Sequence, residues 1–468
     1  MISEEALADW LGNQRWFAGK GQWLRDLTIV ADTGLVEGDP ELRHLIVAVS
    51  HGTSVDYYQI FVGLRRRLPS RLIHAKIGPA VDGPAGAGRI AYDTRIAYDA
   101  RIAYDALHDS DLTRPLLTAI GANASVGALR MRKVEGASFH TDLDSLVLTG
   151  EQSNTSLVYG EESILKVFRR ISPGPNPDLE VSTALAKLGS SQVAEPLGWI
   201  ETRLEGVPTS LAILSRYLRL ATDGWSFAAT SVRDLYAMTE DADTATVSAA
   251  DAGGDFAGES HRLGIATAQV HADLAVAFGT DELSPEAAEE RVERMFRKLD
   301  QSVAAVPELA KYADMISEAY ADLARLRGPF PVQRIHGDYH LGQVLRNGTG
   351  WVVLDFEGEP ATPLAQRRAR ASALRDVAGM LRSFEYAARH QLIGHPDQAA
   401  LSDAARDWVR RNAAAFCAGY AEAGGLDPAA NQVLLRALQL DKAVYEVLYE
   451  ARHRPSWLAI PLDSLAEF

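Results

Sequence analysis

The chain has 468 residues, of which 47% are hydrophobic, and this length is enough for two or three domains with sizeable cores. Its formal net charge of −15 argues against a broad nucleic-acid or anionic-membrane surface, so an anionic substrate needs a local basic pocket. A single cysteine, Cys417, excludes internal disulfides and multi-cysteine zinc sites, and the acidic N-terminus differs from a signal peptide. We therefore expect a cytoplasmic protein with no membrane segment, and the choice between monomer and homodimer stays open.

The first part of the chain predicts a small β-rich unit. Runs of apolar and β-branched residues, bounded by Gly, Asp and Pro, lie at residues 26–31, 44–49 and 56–64. Residues 89–106 then repeat a six-residue unit as RIAYDTRIAYDARIAYDA, which is too short to build a solenoid. We interpret the repeat as a local duplication that lengthens a strand or a surface helix.

A second β-rich region begins near residue 130. Strand-like runs at residues 145–150, 156–160 and 163–170 precede a helical stretch at residues 177–189. After about residue 218 the pattern becomes helical almost to the end of the chain. The order strand, loop, strand, strand, helix is therefore followed by a mainly helical half.

This second region carries the residues that we expect to bind a nucleotide. The loop GEQSNTS, residues 150–156, offers hydroxyl, amide and backbone N–H groups to phosphate oxygens, but no Gly-Lys-Ser/Thr follows it as in a Walker loop. Its candidates are Ser153, Asn154, Thr155 and Ser156. Lys166 can reach phosphates from its strand, and Glu180 on the next helix can hold that lysine by a charge-assisted bond.

Residues 336–357 read HGDYHLGQVLRNGTGWVVLDFE and concentrate polar side chains in one short stretch. Its Asn-Gly pair predicts a turn that joins two strands as a hairpin. The His-x-Asp-x-His pattern at residues 336–340 is compatible with a metal hydrolase, since it puts three ligands on one face of a strand. No second ligand cluster appears elsewhere, two acidic residues return after the turn, and a strand lysine lies upstream. Together these features favour phosphoryl transfer.

Phosphoryl transfer depends on positioning and on charge neutralisation more than on covalent chemistry. Asp338, in a loop before the hairpin, is placed to orient an acceptor hydroxyl and take its proton. Mg²⁺ binds oxygen ligands and keeps several waters, so Gln343 and Asp355 can together hold it. Glu357, two residues further along the same predicted strand face, can bind a second metal ion or a metal-bound water.

The segments HGDYHLGQVL and VVLDFEGEP resemble the phosphotransferase family that includes aminoglycoside phosphotransferases and choline kinases. NQRWFAGKG, EQSNTSLVYG, LRDVAGMLRSFEYAA and LDKAVYEVLYEARHRPSWLAIPL are similar to segments of its maltokinase and actinobacterial glucosamine kinase branch. The resemblance implies an α+β fold that is bilobal and protein-kinase-like, with an added N-terminal β-rich cap and a mainly helical C-terminal lobe. It also implies that ATP and Mg²⁺ are cofactors and that Asp338 is the catalytic base. The wider family has Asn where this chain has Gln343, whose longer amide still offers an oxygen.

The resemblance also implies a division of the chain. Residues 1–110 form the cap, and residues 89–102 look like an insertion within it. Residues 111–218 form the ATP-binding lobe, and residues 219–468 form the helical lobe with the catalytic loop and the sugar site. The expected partners are a small-molecule sugar and ATP, with no nucleic acid and no membrane.

In this family the sugar lies beside Asp338, so we expect the acceptor pocket on the C-terminal helices. The predicted substrate contacts are His340, Gln439, Asp441, Lys442, Tyr445 and Glu446. Gln439, Lys442 and Glu446 share one helix face by their spacing. Maltokinases resemble this segment but have Glu where this chain has Gln439, and glucosamine kinases have Gln. We therefore predict phosphorylation of glucosamine at its C6 hydroxyl; the alternatives are a maltokinase that forms maltose 1-phosphate and an inactive kinase-like sugar-binding protein.

Overall fold

A computed structural model describes residues 2–19, 26–51, 54–80, 101–148, 150, 153–241, 248–250, 254–359 and 362–468. The chain divides into two compact units. Unit 1 comprises residues 1–180 and 194–219, and unit 2 comprises residues 181–193 and 220–468. The division into cap, ATP-binding lobe and helical lobe stays a prediction.

Unit 1 consists mainly of antiparallel strands. These are β1 (Leu27–Val36), β2 (Glu41–His51), β3 (Ser54–Arg65), β4 (Lys76–Ala80), β5 (Arg101–Asp105), β6 (Ser125–Val126), β7 (Leu129–Lys133), β8 (Ser145–Val147), β9 (Thr155–Tyr159), β10 (Ser163–Val167), β11 (Arg170–Ile171), β12 (Pro196–Leu204) and β13 (Val207–Arg216). One sheet has the order β1-β2-β3-β5-β4 with β11 paired to β3, and the other has the order β6-β7-β12-β13-β10-β9-β8. The strands predicted in the first 70 residues are therefore confirmed.

Strand β5 is the third copy of the six-residue repeat, and it pairs with both β3 and β4. Its last residues are buried, because Ala103 and Tyr104 have no exposed surface. Residues 89–100, which make up most of the predicted insertion, lie outside the described residues. The described copy thus forms a strand of the first sheet.

Helices α1 (Glu4–Gly12), α2 (Ser110–Gly121) and the start of α3 (Pro177–Lys187) complete the description of unit 1. Helix α1 begins after Ser3, whose hydroxyl accepts a hydrogen bond from the Ala6 N–H at 3.2 Å and so caps the helix. Apolar residues of α2 and of both sheets form a buried core, which includes Leu116, Phe61 and Leu165. This core holds β9 and β10, the strands next to the predicted phosphate loop.

Unit 2 is mainly helical, as the sequence predicts. Its helices are α4 (Gly224–Asp241), α5 (Ala257–Phe278), α6 (Pro285–Ala305), α7 (Ala313–Arg325), α8 (Leu364–Arg367), α9 (Leu374–Arg389), α10 (Gln398–Glu422), α11 (Gln432–His453) and α12 (Ala459–Leu465). Its short strands are β14 (Thr222–Asp223), β15 (Thr280–Leu283), β16 (Phe330–Gln333), β17 (Val344–Arg346) and β18 (Trp351–Val353). The predicted combination of a β-rich part and a mainly helical part, an α+β fold, is therefore confirmed. In the described parts of the chain, no helix combines the length and the apolar character that crossing a bilayer requires.

The predicted hairpin is present as β17 and β18, which pair antiparallel. Asn347 shapes the turn, since its side-chain oxygen accepts hydrogen bonds from the N–H groups of Thr349 at 2.9 Å and Gly350 at 3.0 Å. The second strand is shorter than predicted and ends at Val353. Asp355 has a φ of 62°, in the left-handed region, so the strand cannot continue through it. The prediction that Asp355 and Glu357 share a strand face is therefore wrong.

Candidate active site

A buried carboxylate that the sequence analysis missed holds the loop at residues 336–340. Asp376 of α9 accepts hydrogen bonds from the backbone N–H groups of His336 at 2.8 Å and Gly337 at 2.9 Å. His271 of α5 places its Nε2 2.9 Å from the same carboxylate. Burial raises the pKa of Asp376, but His271, His336 and the Gly337 N–H together outweigh burial and leave the pKa below its usual value. The ionised carboxylate therefore fixes the loop backbone at neutral pH.

Further contacts brace the same loop. His336 Nδ1 accepts a hydrogen bond from the Asp338 N–H at 3.3 Å, and His336 Nε2 donates to the Leu354 carbonyl at 2.8 Å. The loop also rests directly on α9, where a Cβ at Gly379 would come within 2.6 Å of the Tyr339 carbonyl oxygen. His336 thus links the loop to the hairpin, and this matches a bracing role better than a metal ligand.

Asp338 meets a lysine from the C-terminal helices. Lys442 of α11 places Nζ 3.5 Å from Asp338 Oδ1 and 3.1 Å from Glu359 Oε1. Burial lowers the pKa of Lys442, but Asp338 and Glu359 outweigh burial and raise it. Burial also raises the pKa of Glu359, but Lys442 and Arg375 together outweigh burial, so the pKa lies below its usual value. The lysine therefore stays charged and holds the side chain of Asp338 in one orientation.

His340 follows Asp338 in the loop and is largely buried. Its Nδ1 accepts a hydrogen bond from the Gly342 N–H at 3.1 Å. Burial lowers the pKa of His340, although the nearby Asp338 opposes this effect. The ring is therefore neutral at pH 7 and stabilises the short turn that leads to Gln343, while its contact with substrate stays a prediction.

The hairpin brings together the three predicted metal ligands. Gln343 Nε2 donates to Asp355 Oδ2 at 3.3 Å, and carboxylate oxygens of Asp355 and Glu357 lie within 4.8 Å of each other. Aspartate tolerates the left-handed backbone of residue 355 better than most residues, and such strained positions cluster at functional sites. An amide and two carboxylates provide the oxygen donors that Mg²⁺ prefers. These residues fit a magnesium ion.

Lys166 on β10 points to an acidic partner within unit 1. Its Nζ donates to Asp178 Oδ2 at 3.0 Å, and both side chains are largely buried. Asp178 lies in the first turn of α3, two residues before the predicted partner Glu180. Lys166 thus forms an ion pair with Asp178. The prediction that Glu180 also holds Lys166 stays a prediction.

The predicted phosphate loop divides into exposed and buried parts. Ser153 is exposed, and Asn154 Nδ2 donates to its hydroxyl oxygen at 3.3 Å. Thr155 and Ser156 belong to β9 and are buried. The Thr155 hydroxyl accepts a hydrogen bond from Arg169 Nε at 2.8 Å, so this side chain stabilises the sheet. Asn154 is buried as well, so exposure favours a side-chain contact with phosphate from Ser153, and contacts from the other three residues stay predictions.

Helix α11 uses its predicted sugar face in two ways. Lys442 contacts Asp338, but Glu446 forms a buried ion pair with Arg382 of α9, whose Nε and Nη2 lie 2.9 Å and 2.8 Å from Glu446 Oε2. Helical spacing correctly predicts that Lys442 and Glu446 share one face of α11. The packing of α11 against α9 determines that Arg382 binds Glu446. The structure thus shows that Glu446 stabilises the fold, while its contact with the sugar stays a prediction.

The Glu446→Gln variant separates these two roles. We expect the free energy of unfolding to fall by about 1.5–3 kcal/mol, because Arg382 loses a charged partner inside the protein. The acceptor KM should not change. Glu293→Gln is the matched control, since Glu293 forms an exposed pair with Arg297 at 3.5 Å, and such pairs contribute about 0.3–0.5 kcal/mol. Thermal unfolding measures the change in stability, and initial rates measure KM. A raised KM at unchanged stability would show that Glu446 contacts the sugar.

Unit 2 contains a cavity of about 710 Å³. Asp441, Lys442 and Tyr445 of α11 line it together with Glu359. Lys442 Nζ lies 5.0 Å from the Tyr445 ring centroid, and Asp441 Oδ1 is 2.6 Å from Lys298 Nζ. The cavity therefore has a polar end next to the lysine that holds Asp338. Gln439 is half-buried and is absent from the described lining, so its contact with the sugar stays a prediction.

Two family profiles match this chain. The profile of the maltokinase N-terminal cap domain matches residues 10–109, and that of the phosphotransferase enzyme family matches residues 148–358. The second match includes the predicted phosphate loop, Lys166 and the whole hairpin.

Curated relatives and solved structures agree with these matches. The chain is 33% identical over 331 residues to a glucosamine kinase of Streptacidiphilus jiangxiensis, covering 68% of this chain and 72% of the relative. It is also 33% identical over 320 residues to a glucosamine kinase of Mycolicibacterium smegmatis (strain ATCC 700084 / mc(2)155), covering 67% and 77%. A solved glucosamine kinase (crystal form B) superposes with a TM-score of 0.68 at 24% identity, covering 100% of this chain and 99% of the other. A glucosamine kinase in complex with glucosamine, ADP and inorganic phosphate gives a TM-score of 0.65 at 24% identity and the same coverage. At this identity the two structures show a shared fold.

Proposed function

The chain belongs to the phosphotransferase enzyme family, and on this premise we propose that it transfers the γ-phosphoryl group of ATP to the C6 hydroxyl of D-glucosamine. It is a kinase with a hydroxyl group as acceptor. The observation that carries the choice of a sugar acceptor is the contact of Lys442 with both Asp338 and Glu359, next to a cavity that is large enough for a sugar. The two curated relatives named glucosamine kinase support the choice of amino sugar.

Asp338 is the proposed base. As the C6 oxygen attacks the γ-phosphorus, the hydroxyl proton passes to the Asp338 carboxylate, and the bond between the γ-phosphorus and the β–γ bridging oxygen breaks to leave ADP. Lys442 keeps the carboxylate facing the acceptor, and the hydrogen bonds of Asp376 hold the loop in place. These contacts position the reacting groups before the nucleotide arrives, which is the main requirement of this chemistry.

Gln343, Asp355 and Glu357 would hold Mg²⁺, which neutralises charge on the phosphates when it is bound. Lys166, oriented by Asp178, would bind phosphate oxygens of ATP. Within unit 2 each metal candidate comes from the hairpin or from the turn on either side of it. The hairpin thus couples the metal site to the loop that carries Asp338.

The ammonium group of glucosamine requires a carboxylate partner at neutral pH. Asp441 and Glu359 both line the polar end of the cavity, whereas Glu446 is bound to Arg382. We infer that one of the first two carboxylates receives the amino group. Maltose would present a hydroxyl group at this point, and it would form a weaker hydrogen bond with the carboxylate than an ammonium group does.

Maltokinase is the second candidate, because residues 10–109 match the maltokinase cap domain and the cavity has room for a disaccharide. An assay that couples ADP formation to NADH oxidation, run with each sugar separately, distinguishes the two. We expect kcat/KM for glucosamine to exceed that for maltose by about 10–100-fold, since maltose lacks the ammonium group that would form a charge-assisted hydrogen bond with the carboxylate in the pocket. ADP formation with maltose and not with glucosamine would make the chain a maltokinase, and ADP formation without either sugar would indicate a hydrolase.

A further inference from the structure

The cavity in unit 2 carries more positive than negative charge in its described lining. The basic side chains include Arg291, Arg294, Lys298, Arg370, Arg375 and Lys442, and the acidic ones are Glu289, Glu359 and Asp441. A cleft lined with one sign of charge focuses its field and concentrates ions of the opposite sign. A neutral or cationic sugar makes no use of such an excess.

Charges alternate along one wall of this cavity, beginning at the proposed base. Asp338 contacts Lys442, Lys442 contacts Glu359, and Glu359 Oε1 lies 3.4 Å from Arg375 Nη2. Lys442 and Arg375 therefore each form an ion pair with a carboxylate. Arg291 of α6 lines the same cavity, and it is a second cation near enough to Arg375 for the two charges to repel each other.

Arg291 is a partly buried basic group of the described lining that lacks a protein partner, whereas Arg327, which also lacks one, is exposed. Its guanidinium has no hydrogen bond or ion pair among the residues that the structure describes. Burial, together with the nearby cations Arg375 and Arg294, lowers the pKa of Arg291, and the opposing effect of Asp441 is smaller. Its neighbours have carboxylates of their own, since Arg294 Nη1 is 3.1 Å from Glu290 Oε1 and Lys298 binds Asp441. A largely buried cation without a partner is costly unless a bound anion neutralises it.

We propose that the cavity contains an oxyanion-binding subsite in which Arg291 and Arg375 hold a phosphate or carboxylate group, apart from the position of the phosphate to be transferred. Guanidinium groups suit this task because they bind planar and tetrahedral oxyanions with two parallel hydrogen bonds. The remaining lining near α6 and α7 is apolar and includes Val292, Met295 and Phe330, so the molecule that carries the anion can have an apolar body. The anion is either a substituent of a larger acceptor or part of a second small molecule.

Isothermal titration of the full chain with inorganic phosphate, at constant ionic strength and without nucleotide, tests this subsite. We expect saturable binding that weakens at least about 10-fold in Arg291→Gln and less in Arg291→Lys, because lysine keeps the charge but loses the paired hydrogen bonds. Arg297→Gln is the matched control, since Arg297 lies on the same helix, is exposed and pairs with Glu293. Its affinity for phosphate should equal that of the unmodified protein.

Lys166→Ala separates this subsite from phosphate bound at the nucleotide position, and thermal unfolding verifies that each variant is folded. Binding that disappears in Lys166→Ala and persists in Arg291→Gln would overturn the proposal, as would equal affinity in Arg291→Gln and Arg297→Gln. Repeating the titration with saturating glucosamine identifies the source of the anion. Undiminished phosphate binding indicates a second molecule, and competition indicates a substituent of a larger acceptor. None of these measurements requires turnover, so they remain decisive if glucosamine is not the acceptor.

Discussion

Replacing Asp338 with alanine should lower kcat by about 10²–10⁴-fold, the usual contribution of a positioned general base. The KM for sugar should change much less, because Lys442 and Glu359 remain at the polar end of the cavity. ATP should still bind with nearly its original affinity, since the nucleotide candidates lie on other segments. Initial rates and a calorimetric titration with ATP measure these quantities.

The matched control for this variant is Asp322→Ala, which removes an aspartate from an exposed pair with Arg325 on α7. It should leave kcat unchanged. A kcat in Asp338→Ala within about 5-fold of the unmodified enzyme would show that another group takes the hydroxyl proton, since a lost base costs far more.

Replacing Asp376 with asparagine should lower the free energy of unfolding by about 1.5–3 kcal/mol, because it removes a buried carboxylate that accepts hydrogen bonds from His271 and the loop. The variant should also lower kcat more than it raises KM for sugar, because asparagine keeps only one acceptor oxygen and one of the two backbone N–H groups that hold the Asp338 loop loses its acceptor. Chemical denaturation and steady-state rates test these two effects.

The pH dependence of stability provides a further readout for Asp376. A carboxyl group whose pKa is lowered by folding stabilises the protein above its unfolded pKa, about 3.9 for aspartate, and this contribution is lost as the pH falls through the lower folded pKa. The stability difference between the unmodified protein and Asp376→Asn should therefore be constant from pH 5 to 7, within about 0.5 kcal/mol, and should shrink below about pH 4. A difference that instead grows on acidification would show that Asp376 is not the ionised acceptor of the loop.

Local signals predicted much of the candidate site. The Asn-Gly pair predicted the position of the turn. A hairpin at this turn brings Gln343 and Asp355 together, although 12 residues separate them in the sequence. The contact between Lys442 and Asp338 agrees with the family resemblance, which placed the acceptor on the C-terminal helices. Short hydrogen-bonded turns depend on a few residues, and for this reason the sequence specifies them well.

Long-range packing set the features that the sequence did not predict. Asp376 supports the loop from 40 residues away, and its only signal was an aspartate directly before the apolar helix stretch VAGML. Glu446 shares a helix face with Lys442, but Arg382 on a neighbouring helix captures its carboxylate. Helical spacing predicts which residues share a face and cannot predict which partner packs against it.

The most direct test of the proposed function is ³¹P NMR of the product formed from ATP and Mg²⁺ with equal concentrations of glucosamine and maltose. We predict one new phosphomonoester signal, coupled to the two protons at C6 of glucosamine and absent from the reaction of Asp338→Ala. A signal coupled to the anomeric proton of maltose, or the release of inorganic phosphate alone, would contradict the assignment of this chain as a glucosamine kinase.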